Sequence, residues 1–186
     1  MSKILTTQMT GMLQRIQNSE EEAIEDTARL LAQAGIGQGS VYFACFEEMK
    51  GIEINAMEGA APFIKALPWS PEAELTDADR VIIFTRSCTN QQAIALAQKL
   101  YDQFIPFAVI ASEPAGDDNV LSELAYTYIS MKIRGGIIPH PSKIGERIVF
   151  PHMMAALFIY EAIKMEYDEM IAADEDDEEP SDSPFA

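Results

Sequence analysis

Apolar positions change their period several times along the chain, and each change marks a predicted element. Leu5, Met9, Met12, Leu13 and Ile16 recur at steps of three and four, the mark of a helix with one buried face. Asn18-Ser19 interrupts that pattern and predicts a second helix, with Ser19 and Glu22 at the spacing of a capping box. Ile24, Ala28 and Leu31 continue its inward stripe, and Gly35, Gly37 and Gly39 are expected to end it through a left-handed turn. Val41 to Phe46 is then a short continuous apolar run, as in a strand buried on both faces.

The alternation repeats to the end of the chain. Glu47 to Met57 predicts a helix, Phe63 to Leu67 a brief strand cut off by Pro68, and Arg80 to Thr85 a strand. Ala93, Ile94, Ala97, Leu100, Tyr101 and Phe104 share one helical face until Pro106, and Phe107 to Ala111 reads as the next strand. A helical turn over 120–125, a fifth strand from Tyr126 to Ser130, a loop from Gly135 to Gly145 and a last helix from about Pro151 to Ala172 complete the pattern. Strands alternating with helices predict an α/β fold: a doubly wound, five-stranded parallel sheet in a flavodoxin-like three-layer sandwich, with N-terminal helices and a long C-terminal helix. In the strand order 2-1-3-4-5, ligands bind where the order reverses, beyond the ends of strands 1 and 3. Those ends are Cys45 to Met49 and Thr85 to Asn90.

Charge narrows the partners. Across 186 residues, 13 bases face 30 acids, a net −17, which disfavours nucleic acid and an anionic membrane surface. Seven acids and no base lie between Asp174 and Ala186, so 174–186 is expected to be a disordered acidic tail behind a single domain over 1–173. That body keeps 13 bases against 23 acids. No run of about 18 apolar residues occurs, which predicts no membrane span, and no leader pattern opens the chain, so the cytoplasm is expected. Cys45 and Cys88 lack a metal-type spacing, and the two histidines are far apart, so neither a metal nor another cofactor is expected. The two cysteines close the strands at the switch point, where their side chains could face a common crevice as unreacted thiols.

The candidate chemistry lies at the third strand's exit. Thr85, Ser87, Thr89 and Asn90, with Arg86, place hydroxyls, an amide and a guanidinium at a strand-to-helix turn, where free backbone donors and the helix dipole favour an anion. Thr89 or Asn90 could equally serve as a plain helix cap. The stretch Thr76-Asp77-Ala78-Asp79, the strand Val81 to Phe84, the turn Thr85 to Asn90 and the later Val109-Ile110-Ala111-Ser112 resemble a sugar isomerase (SIS) domain, in particular small bacterial relatives of phosphoheptose isomerase. The resemblance implies an SIS-like domain over 1–173 that binds a phosphorylated sugar at Thr85, Ser87, Thr89 and Asn90, with Cys88 standing where the family carries glycine. It further implies aldose–ketose isomerisation through an enediol, with Glu58 as base, Glu53 as a competing choice, and His152 as partner. The other reading of those two residues is a solvated carboxylate and a helix-start histidine.

Two further features bear on partners. His140 lies in a loop with Arg134, Lys143 and Arg147, a local basic cluster that could close over an anionic ligand or simply balance nearby acids. Met153 to Tyr160 is apolar all round, which predicts a central or interfacial helix and a homodimer packed through helices. The functional expectation is therefore a phosphosugar-binding protein, either an isomerase or a non-catalytic dimeric sensor of a sugar phosphate or a similar small anion.

Overall fold

In the computed structural model, which describes residues 2–178, the chain folds as α1 (Ser2–Ile36), β1 (Val41–Cys45), α2 (Lys50–Glu58), β2 (Ala66–Pro68), β3 (Arg80–Phe84), α3 (Gln91–Asp102), β4 (Phe107–Ala111), α4 (Val120–Leu124), β5 (Thr127–Ser130), β6 (Ile138–Pro139), β7 (Arg147–Ile148) and α5 (His152–Glu178). Five strands form one parallel sheet in the order β2-β1-β3-β4-β5. The doubly wound α/β expectation and its order hold.

Alternation along the strands divides the core in two. Ile82 and Phe84 point to the side covered by α1, α2 and α5, with Phe43, Ile110 and Ile129. Val81 and Ile83 point to the other side, where Ala93, Leu96, Ala97 and Leu100 of α3 and Leu121 of α4 cover them with Val109. Because both faces are covered, the strands read as unbroken apolar runs.

Several local expectations are corrected. The two N-terminal helices are a single helix of 35 residues. Met12, Ile16, Glu20, Ile24, Ala28 and Leu31 keep one buried face straight through Asn18-Ser19, and tertiary burial of that face outweighs the local break. Ser19 caps nothing: its hydroxyl donates back to the Arg15 carbonyl at 2.8 Å. The brief second strand falls later than expected, at Ala66–Pro68. The glycine- and proline-rich loop carries a small antiparallel hairpin, β6–β7. α5 is helical through Glu178, past the expected boundary at 173, and residues 179–186 of the acidic tail lie outside the described residues.

Gly35 and Gly39 serve close approach and not a left-handed turn, since Gly145 is the only glycine among the described residues with positive φ. A Cβ on Gly35 would lie 2.2 Å from the Tyr167 hydroxyl, and one on Gly39 1.9 Å from the Ala78 carbonyl oxygen. The Ala78 oxygen belongs to the backbone and cannot yield cheaply. Gly39→Ala is expected to lower stability by about 2–3 kcal/mol, read from urea unfolding midpoints.

α5 is central, as its composition predicts. Ala155, Ala156, Ile159, Tyr160, Ile163 and Tyr167 are buried, while Met154, Leu157 and Met165 stay exposed. No described helix is long and apolar enough to cross a membrane.

Candidate functional site

The cleft lies where the strand order reverses. About 580 Å³ of open space is lined by Glu48 after β1, Arg86 and Ser87 after β3, Ser112 and Glu113 after β4, Ile133 to Gly135 after β5, and Phe150 and His152 at the start of α5. Every wall is a strand exit or a helix start, so adjacent parallel strands deliver their polar ends to one place.

Its centre is the β3–α3 turn, which holds an anion supplied by the chain itself. The Glu113 carboxylate accepts from the Ser87 hydroxyl at 2.7 Å and from the Cys88 backbone N–H at 2.8 Å. Burial pushes the Glu113 carboxyl up, but the donors from Ser87 and Cys88 outweigh that and hold it below the usual carboxylate range. The Ser87 hydroxyl also lies 2.9 Å from that of Thr89. The structure therefore brings Ser87 and Thr89 together at the turn.

Thr85 and Asn90 do other work. Thr85 is fully buried and donates to the Ser87 carbonyl, holding the turn from beneath. The Asn90 carboxamide oxygen accepts from Gln92 and Ala93 backbone N–H groups, each at 3.0 Å, and caps α3.

The two expected catalytic residues part company. Glu58 is exposed at the last position of α2 and does not line the cleft, and Glu53 is paired with Lys50. His152 does line it, at the first turn of α5, with its ring stacked at 6.4 Å on Phe150. The carboxylate that shares the cleft with His152 is Glu48. It is gripped by Arg86 through Nε at 2.8 Å and Nη2 at 2.5 Å, and this pairing holds its carboxyl below the usual range. Glu47 has left-handed backbone at φ 55, which turns the chain sharply after β1 and sets Glu48 facing Arg86. Phe46 packs under α3 with Ala44 and leaves the cleft unobstructed.

Burial lowers the His152 pKa, against the pull of Glu48, Glu113 and Glu47. A depressed histidine contributes stability that is complete above its ordinary value of 6.5 and is lost as the pH falls through the native value. Wild type is therefore expected to lose more melting temperature than His152→Gln between pH 7.5 and pH 5.5. Equal losses in scanning calorimetry would place the titrating group elsewhere.

The remaining candidates separate. His140 Nδ1 accepts from the backbone N–H groups of Ser142 and Lys143, and Lys143 pairs with Glu146, so the tip of the basic loop is an exposed hairpin turn. Of the basic residues around that loop, only Arg134 lines the cleft among the described residues. Cys45 and Cys88 are free and buried on opposite sides of the sheet, so no common crevice exists, and burial raises both thiols. Among the described residues no group of His, Cys, Asp and Glu is placed to hold a metal. Glu113 escaped the sequence reading, although the adjacency of strands 3 and 4 puts the residue two past Ala111 beside the turn.

Comparison with known proteins agrees with this fold. A family model described as a domain of unknown function (DUF2529) matches residues 1–171. The uncharacterized protein YwjG of Bacillus subtilis (strain 168) is 36% identical over 174 residues, 92% of this chain and 98% of its own. A structure from Bacteroides fragilis, proposed as a phosphosugar isomerase involved in capsule formation, superposes with a TM-score of 0.65 at 14% identity, covering 89% of this chain and 86% of that one. The NanR protein of Vibrio vulnificus, complexed with ManNAc-6P, superposes at 0.62 with 12% identity, covering 95% of this chain and 66% of that one. The fold is that of sugar isomerase (SIS) domains.

Proposed function

The chain belongs to the family described as a domain of unknown function, DUF2529, within the SIS fold, and from that premise we propose that its cleft binds a small phosphorylated sugar. The observation that carries this reading is the Glu113 carboxylate seated on Ser87 and Cys88. Donors that converge on one oxyanion are a receptor for another, and a phosphate offers more acceptor oxygens and more charge than a carboxylate. Binding then requires Glu113 to give way, which its half-exposed position allows. The sugar extends toward Arg134, Phe150 and His152 along the rest of the cleft. The NanR protein, which is similar in fold and is complexed with ManNAc-6P, supports the ligand class.

Thermal-shift measurements test this with hexose and heptose phosphates beside the free sugars and inorganic phosphate. Ligands that bind the native state raise the melting temperature. A shift with sugar phosphates that exceeds both controls and disappears in Ser87→Ala supports the reading. No shift with any of them overturns it.

Isomerase activity is a second reading, favoured by the meeting of Glu48 and His152 in one cleft. A base would take the C2 proton of an aldose phosphate while O1 gains a proton to give the enediol, and return of a proton to C1 with loss of the O2 proton would form the ketose. His152, neutral near pH 7 because burial depresses it, is the group able to accept that proton. Sugar phosphate incubated in deuterated water separates enzyme from sensor. C2 deuteration that is lost in His152→Gln and Glu48→Gln marks an isomerase, and tight binding without exchange marks a sensor.

A homodimer fits the same protein, because Met154, Leu157 and Met165 leave an apolar stripe on α5 exposed. Light scattering at micromolar concentration is expected to return twice the chain mass. Two buried, unpaired thiols fit a reducing compartment such as the cytoplasm.

A further inference from the structure

Cations are scarce in this chain, 13 against 30 acids, yet four of them meet at the edge of the cleft. Arg15 of α1, Lys132 and Arg134 after β5, and Arg147 of β7 line a pocket of about 260 Å³ whose lining holds no carboxylate among the described residues. Assembling four like charges costs Coulomb repulsion, and the fold nevertheless holds two of them firmly. Lys132 has left-handed backbone at φ 53, and its ammonium is tied at 3.0 Å to Glu20, a buried carboxylate that also accepts from the Ser130 backbone N–H. Arg147 donates Nε to the Gly136 carbonyl at 2.7 Å and Nη2 to the Ile137 carbonyl at 2.9 Å. Arg15 and Arg134 have no ion-pair partner among the described residues.

We propose that this pocket is a second anion site, for a small, multiply charged phosphate. Guanidinium forks match phosphate oxygens bidentately, and among the described residues none of the three here is paired with a carboxylate, while Arg147 is pre-aimed by backbone carbonyls. One buried Glu20 offsets one of four positive charges and leaves the pocket cationic. The surrounding chain, at net −17, repels a long polyanion, so a compact anion is the occupant rather than nucleic acid. The pocket adjoins the cleft through the shared Ile133 to Gly135 and differs from it in the rest of its lining: Arg15 and Arg147 line this pocket and not the cleft, and Glu48, Ser87 and His152 line the cleft and not this pocket. Arg134 forms the wall between them.

Equilibrium dialysis of the full chain against radiolabelled pyrophosphate, at an ionic strength of about 20 mM, tests the site. One equivalent is expected to remain bound in Ser87→Ala, where the cleft turn is disabled, and to bind more weakly as salt rises. Arg15→Gln and Arg147→Gln should each lower the affinity about tenfold, and Ser87→Ala should leave it unchanged. Arg15 lies on an exposed face of α1, so its variant keeps the helical circular dichroism even if the hairpin variant does not. Absence of binding by wild type, an unchanged affinity in Arg15→Gln, loss in Ser87→Ala, or tighter retention of a single-stranded oligonucleotide each overturns the proposal. The phosphosugar shift assigned to the cleft survives Arg15→Gln in every case, so the two assignments fail separately.

Discussion

Glu113→Gln is expected to raise the affinity of the cleft for inorganic phosphate and for sugar phosphates by about 10- to 100-fold. The glutamine side chain keeps the length of the native one, and its amide oxygen can still accept from the Cys88 N–H, so the turn is not dismantled. What disappears is a full negative charge in the oxyanion's place. Two unit charges about 4 Å apart at an effective dielectric near 20 repel by roughly 4 kcal/mol, and the half-exposed position reduces that by about half. Isothermal titration with phosphate checks the gain. An affinity equal to or below that of wild type would mean that the turn is a structural clasp between the exits of β3 and β4. The pH dependence carries the same sign: protonating Glu113 in acid should mimic the substitution, so phosphate binding in wild type should strengthen on the acid side while that of the variant should not.

The largest loss of stability is expected from Asp79→Ala, at about 4 kcal/mol. Asp79 is buried, and its carboxylate accepts three bonds at 2.8 Å, from the Ser40 N–H, the Thr76 N–H and the Thr76 hydroxyl. Each hydrogen bond to a charged acceptor contributes about 1.5 kcal/mol, and the alanine leaves two partly buried N–H donors without that partner. The two loops that Asp79 ties together lead into β1 and β3, the strands on either side of the switch point. Asp79→Asn, which retains an acceptor, should cost less than half as much. Chemical denaturation of the three proteins gives the comparison, and near-equal midpoints would remove the carboxylate from the account.

Much of the fold was legible in the chain because its signals are local. Continuous apolar runs at Val41–Phe46, Arg80–Thr85 and Phe107–Ala111 can only be strands covered on both faces, and right-handed crossovers then leave few orders for the sheet. The misreadings were also local. Asn18-Ser19 has every mark of a helix boundary, yet the apolar register on either side of it belongs to one face, and burial of that face against the sheet overrides the break. Gly35 and Gly39 read as turn residues because a helix ends there, whereas they are small because Tyr167 and Ala78 press against them from distant parts of the chain.

The composition of the site obeys a different logic. The sequence by itself determined the architecture and the place of the cleft, since both follow from periodicity and from the rule that parallel strands end together. It also named Ser87 and His152, which lie beside their own strand or helix ends. Only the tertiary structure decided that Glu48 and not Glu58 shares the cleft with His152, that the Glu113 carboxylate sits on Ser87 and Cys88, and that Arg15 and Arg147 share a pocket. These are encounters between side chains from different helices, strands and strand exits, separated by up to 132 positions. No local pattern records them, because the chain brings them together only after the sheet has been assembled.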